Sequence, residues 1–139
     1  DVDLFIEMGG AVDGDRYHNI LYQNPGQGNH SVTVKLAGVR SNRSAIGARI
    51  TMEVEGGENG SKPLKVHRLI SSGSSFGSNT LEQTLGMGKA DRIATLEVHW
   101  PTSGTTQTFH DIAAGQSIEI TEFATEYKTR NHPAIRLPK

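Results

Sequence analysis

The stretch Ile46-Gly47-Ala48-Arg49-Ile50-Thr51-Met52-Glu53-Val54 decides the fold class. Apolar residues at every second position alternate with Gly47, Arg49, Thr51 and Glu53. A strand turns successive side chains to opposite faces, so this rhythm describes one dry face and one wet face. The same rhythm recurs in both directions along the chain. Val32, Val34 and Leu36 alternate with Ser31, Thr33 and Lys35. Leu96, Val98 and Trp100 alternate with Glu97 and His99, and Ile118 and Ile120 with Glu119 and Thr121. Less regular strands are expected at 4–8, 19–23, 64–70, 81–85 and 107–109. No long segment carries a 3.6-residue period, and the best helical stretch, 89–93, reads as a loop.

The punctuation agrees with short strands. Gly9-Gly10, Asp13-Gly14-Asp15, Asn24-Pro25-Gly26, Gly56-Gly57, Asn59-Gly60, Ser71 to Ser75, Pro101 to Gly104 and Ala114-Gly115 are turn signals. Proline cannot donate to a sheet ladder, so the strand holding Trp100 should end at Pro101. The expectation is an all-β domain, an antiparallel β-sandwich of jelly-roll type. The chain has 139 residues, one ordinary domain, and can bury roughly two-thirds of its unfolded surface.

Composition narrows the function. A net charge of −1 gives no electrostatic case for a nucleic acid partner. No apolar run is long enough for membrane insertion as a helix. Without cysteine there is no disulfide, thiol nucleophile or zinc–thiolate site. The chain opens at Asp1 without an initiator methionine and reads as the interior of a longer polypeptide.

Several motifs follow one another along the chain. They are Asn29-His30, Val34-Lys35-Leu36, and Ser41-Asn42-Arg43-Ser44-Ala45-Ile46-Gly47-Ala48-Arg49. Ser72-Gly73-Ser74-Ser75-Phe76, Leu85-Gly86-Met87-Gly88-Lys89-Ala90 and Leu96-Glu97-Val98-His99-Trp100-Pro101 come next, then Gly104 to Gln107. In this order they resemble the ASPIC/UnbV domain, from about residue 29 to 122. Residues 1–28 are similar to the closing strands of an FG-GAP/VCBS β-propeller blade. The expected organisation is therefore 1–28 repeat end, 29–124 ASPIC/UnbV-like β domain and 125–139 extended tail. The resemblance implies a secreted or cell-surface protein, extracellular or periplasmic, that binds or adheres rather than catalyses. A protein or glycan at the cell surface is the implied partner. A carbohydrate-binding module, or an accessory domain to an enzyme site further upstream, are the alternatives.

The resemblance to FG-GAP-like repeats makes Asp1 and Asp3, just before Leu4-Phe5-Ile6, look like the tail of a calcium loop, but two carboxylates fall short of the six to eight oxygens that calcium takes. No cofactor is expected within residues 1–139, and calcium belongs to the upstream repeats. Asp13-Gly14-Asp15 reads as a turn. Arg40, Arg43 and Arg49 surround Asn42, and guanidinium forks suit carboxylates, sulfates or uronic sugars. The plainer reading has Asn42 and Gly47 shaping a turn and the guanidinium groups pinning the loop. Phe76, within Gly/Ser sequence, is the ring most suited to stack on a ligand, whereas Trp100 shares the apolar phase.

The six histidines, His18, His30, His67, His99, His110 and His132, form no metal-binding spacing. His110 and Asp111 are adjacent and should face opposite ways in a strand. There is no G-x-S-x-G elbow, and Gly86-Met87-Gly88-Lys89-Ala90 lacks the Ser/Thr of a phosphate loop. Strands in 1–28 that lack neighbours invite edge pairing with another copy, as a homo-oligomer or strand-edge assembly.

Overall fold

The computed structural model describes residues 3–10, 12–55, 63–73 and 77–131. Asp1, Phe76, His132 and the Gly56-Gly57 and Asn59-Gly60 turns lie outside the described residues. Every described element is a strand: β1 (Leu4–Ile6), β2 (Ile20–Tyr22), β3 (His30–Ala37), β4 (Arg49–Val54), β5 (Leu64–Leu69), β6 (Gln83–Gly88), β7 (Arg92–His99), β8 (Thr106–Ala113), β9 (Ser117–Thr121) and β10 (Lys128–Arg130).

Two four-stranded sheets form a sandwich, ordered β10-β9-β3-β6 and β5-β4-β7-β8. The alternating residues supply the core between them. Val32, Val34, Leu36, Leu85, Met87, Ile118 and Ile120 come from the first sheet. Ile50, Met52, Val54, Leu96 and Val98 come from the second and are buried against them. The all-β sandwich expected from the periodicity is the fold observed. Trp100 is fully buried just after β7, and Pro101 opens the turn that ends the strand. Its indole nitrogen donates to Gln107 Oε1, so the ring's one polar atom is satisfied inside the core.

Three details differ from the alternation rule. The neighbours β3 and β9 run parallel, with Thr33 opposite Ser117 and Ala37 opposite Thr121, while the other strand pairs are antiparallel. Ile46 belongs to a turn and is exposed, because β4 begins only at Arg49. His110 and Asp111 are both exposed rather than opposed, because Asp111 has a φ of 59° and its left-handed backbone breaks the alternation. Asp111 then pairs with Arg92, while His110 Nδ1 lies 3.4 Å from Thr95 Oγ1.

The first 28 residues stand apart. β1 and β2 form a two-stranded antiparallel sheet of their own. Leu4, Phe5, Leu21 and Tyr22 are all exposed on it. The Asp13-Gly14-Asp15 segment is the turn expected, with Asp15 N–H bonded to the Val12 carbonyl at 3.1 Å. At the other end, the described part of the tail packs along the domain. β10 adds to β9, and Tyr127 packs edge-on against Phe109 with centroids 6.1 Å apart.

Candidate functional site

Because β3 and β9 are parallel, both end at the same rim of the sandwich. The loop after β3, residues 38–48, and the turn after β9, residues 121–124, therefore emerge side by side. An antiparallel pair would have sent them to opposite ends. The Glu122 amide donates to the Ala37 carbonyl at 2.9 Å and carries the ladder one step past β9.

Glu122 is the centre of this rim. It is buried, 2% exposed, and its carboxylate is fully engaged. Oε2 accepts the consecutive backbone amides of Val39, Arg40 and Ser41, each at 2.7 Å. Oε1 accepts the hydroxyls of Ser41 at 2.8 Å and Ser103 at 2.7 Å. Successive amides closing on one oxygen form a nest, the backbone's own anion site. Here the occupant is the chain's own carboxylate. Burial pushes the Glu122 carboxyl up, but the Ser103 hydroxyl, the amides of Ser41 and Val39 and the Ser41 hydroxyl outweigh it. Its pKa falls from 4.5 to about 2.

The rest of the loop is built as tightly. Asn42 bridges it, its amide nitrogen donating to the Ile46 carbonyl at 2.8 Å and its oxygen accepting the Ile46 amide at 2.9 Å. A Cβ on Gly38 would overlap the carbonyl oxygens of Ser41 and Asn42, so that position admits only glycine. Ala45 and Ala48 are fully buried, and the Gly47 amide reaches the Ile70 carbonyl at 2.9 Å. Asn42 and Gly47 thus shape the turn as the plainer sequence reading expects.

The guanidinium groups do not follow that reading. Those of Arg40, Arg43 and Arg49 make no hydrogen bond or ion pair with the described residues, and all three residues are exposed. Glu122 and Asn42 hold the loop without them. The structure also separates Arg49 from the other two. Arg49 starts β4 and lies on the outer face of its sheet, in a shallow depression with Thr51, Glu97, His99 and Thr106. Three cross-strand His–Thr contacts mark that face: His67 to Thr51 at 3.1 Å, His99 to Thr106 at 3.2 Å and His110 to Thr95 at 3.4 Å.

Asp3 is occupied as well, its Oδ1 accepting the Asn24 amide at 2.9 Å across the amino-terminal hairpin. Among the described residues no group of three or more His, Asp or Glu is placed to hold a metal ion. Asp1 and Phe76 lie outside the described residues.

Sequence reasoning missed Glu122, Ser103 and Phe123. Glu122 continues the inward phase of Ile118 and Ile120 one step past the strand, a signal that its acidic side chain obscured. A second signal was the Gly104-to-Gln107 motif, because Gln107 organises the same rim. Its Nε2 donates to the Thr121 carbonyl at 3.1 Å and the Ala124 carbonyl at 2.6 Å, and its Oε1 accepts the Phe123 amide at 3.2 Å.

No curated protein and no solved structure matches the chain. One family model does, described as ASPIC and UnbV, over residues 38–126. The match opens at Gly38, the tight glycine of the loop, and closes four residues beyond Glu122; it leaves residues 1–37 outside, including the Asn29-His30 and Val34-Lys35-Leu36 motifs. It spans well over half of the sequence, and on that ground the chain belongs to the ASPIC and UnbV family.

Proposed function

We propose that this chain is a non-catalytic interaction module of an extracellular or periplasmic protein, binding a protein partner through the loops at one end of its sandwich. The observation that carries this reading is how the loop polar groups are used. The Ser41 and Ser103 hydroxyls, both Glu122 oxygens and the Asn42 amide are committed to holding backbone, while Arg40 and Arg43 face outward. A rigid platform presenting unpaired guanidinium groups suits recognition. A group engaged in five hydrogen bonds is a poor acid, base or nucleophile.

The amino-terminal hairpin supports the larger architecture. A lone two-stranded sheet is marginal in water, and Leu4, Phe5, Leu21 and Tyr22 find no cover on the sandwich. Residues 1–28 are, in our reading, the closing strands of an FG-GAP/VCBS-type propeller, with calcium confined to the preceding repeats. This arrangement has a direct check by hydrogen exchange. The amides of β1 and β2 become protected when the chain is expressed behind its upstream reading frame, and unchanged exchange there would refute the propeller.

The interaction role is tested by screening the chain, displayed as a multivalent probe, against an array of secreted and cell-surface ectodomains. Saturable binding that weakens on Arg40→Ala supports it. Binding to polysaccharides alone would replace it with the carbohydrate-binding reading, for which the polar depression around Arg49, His99 and Thr106 offers donors and acceptors.

A further inference from the structure

The turn Thr121-Glu122-Phe123-Ala124 is closed by the Ala124 amide on the Thr121 carbonyl at 3.0 Å. Its third residue, Phe123, has a φ of 70°. A type II turn reserves that place for glycine or asparagine, and a bulky side chain there is strained. The strain is imposed from outside the turn. Glu122 is locked in its nest, and Gln107 grips the Thr121, Phe123 and Ala124 backbone. Strain at a site over-determined by its surroundings points to use of the side chain it presents. The Phe123 ring is not repaid by burial, for it is 51% exposed.

The amides of Val39 and Arg40 hang on the carboxylate of Glu122, the residue next to Phe123. Val39 is 62% exposed, and Ile46 in the same loop is exposed as well. Arg40 and Arg43 are exposed with no acidic partner among the described residues, while the one acid at the centre of the rim is buried and fully engaged. The rim thus offers an aromatic ring, two aliphatic side chains and two guanidinium groups that form no ion pair with the described residues.

We infer that Phe123, Val39, Arg40 and Arg43 form a docking corner for a protein segment that sets carboxylate side chains beside an apolar one. This rests on the interaction-module reading above and names the surface and the chemistry of the partner. Aromatic and arginine side chains together are the usual composition of binding hot spots. The exposed Val39 and Ile46 favour a polypeptide over a sugar chain, which brings no aliphatic side chains to bury there.

The test is selection of a random peptide library displayed on phage against the intact chain, followed by binding of the enriched peptides as synthetic compounds. Heparin and polygalacturonate serve as anionic glycan probes. The expected peptides carry Asp or Glu next to an aromatic or aliphatic residue, and their binding weakens as salt rises. Phe123→Gly keeps the turn and removes the ring, and should weaken binding at least about tenfold. Arg40→Ala and Arg43→Ala should each weaken it several-fold and flatten the salt dependence. Thermal melts of each variant guard against loss through unfolding.

Peptides indifferent to all three substitutions would overturn the corner while leaving the module reading intact. Glycans bound through these residues in place of peptides would overturn the corner's polypeptide occupant. Selection that enriches nothing would also overturn the corner, and the ectodomain screen then decides the wider reading independently.

Discussion

At the residue scale, a single carboxylate organises the rim. Glu122 is held in its ionised form, with a pKa lowered from 4.5 to about 2. The folded state therefore binds fewer protons than the unfolded state across that interval. Its contribution to stability is fully present above about pH 4.5, and it fades as the pH falls toward about 2. Glu122→Gln should cost about 2 kcal/mol at neutral pH, because a charged acceptor of five hydrogen bonds becomes neutral. The mutant should also lose part of the acid-induced fall in stability. Urea denaturation of both proteins between pH 2 and 6 measures this, and parallel pH profiles would show that Glu122 is not the titrating group. Phe123 allows a cleaner comparison. Phe123→Ala and Phe123→Gly both remove the ring, but only glycine tolerates the backbone without strain. The glycine variant should be the more stable of the two by about 1 kcal/mol, read from their denaturation midpoints. Alanine equal to or better than glycine would show that the turn bears no strain.

At the scale of elements, the parallel contact between β3 and β9 matters most. It brings two connections far apart in sequence to one rim, with Glu122 lying 81 residues from Ser41. Strand alternation reveals which face of an element is buried but carries no information about its neighbour or their relative direction. Protection should follow neighbours. β4 and β7 lie inside their sheet, β5 sits at its edge, and β1 and β2 have only each other. Native-state hydrogen exchange should therefore be slowest for β4 and β7, intermediate for β5 and fast for β1 and β2. Slow exchange in β1 and β2 would mean that the hairpin is covered in solution. The places where alternation misleads have local causes. Ile46 continues the apolar rhythm of β4 in sequence, yet the Asn42 bridge draws it into the turn. Asp111 adopts a left-handed backbone within β8 and brings its side chain to the same exposed surface as His110.

At the scale of the whole molecule, the sandwich and the amino-terminal hairpin are energetically unequal. The core draws its residues from β3, β4, β6, β7, β8 and β9 together with Ala45, Ala48, Ile70 and Trp100, and none from the described residues of 1–28. A polar link joins them, for Lys89 Nζ bonds the carbonyls of Gln27 and Gly28 at 2.7 and 2.9 Å. A chain starting at Gln27 should therefore unfold cooperatively, with a melting temperature within a few degrees of the parent. Loss of the cooperative transition on this truncation, followed by circular dichroism, would show that the hairpin is integral to the fold. The arginine loop was legible as a turn from Asn42 and Gly47, and as a recognition candidate from Arg40 and Arg43. The carboxylate that fixes it was legible only as a phase, since Glu122 follows the inward rhythm of Ile118 and Ile120, but periodicity names no partner for a buried acid.

The sequence by itself determined the sandwich: two-residue periodicity specifies strands with one apolar face, and such faces are stable only against each other. It also carried the family motifs and the glycine and asparagine that shape the loop. Only the tertiary structure decided that β3 and β9 run side by side in one direction. That pairing places Glu122 beneath the loop, with the Val39 and Arg40 amides on its carboxylate and Phe123 next in the chain, because contacts between distant segments depend on strand order, which local periodicity does not encode.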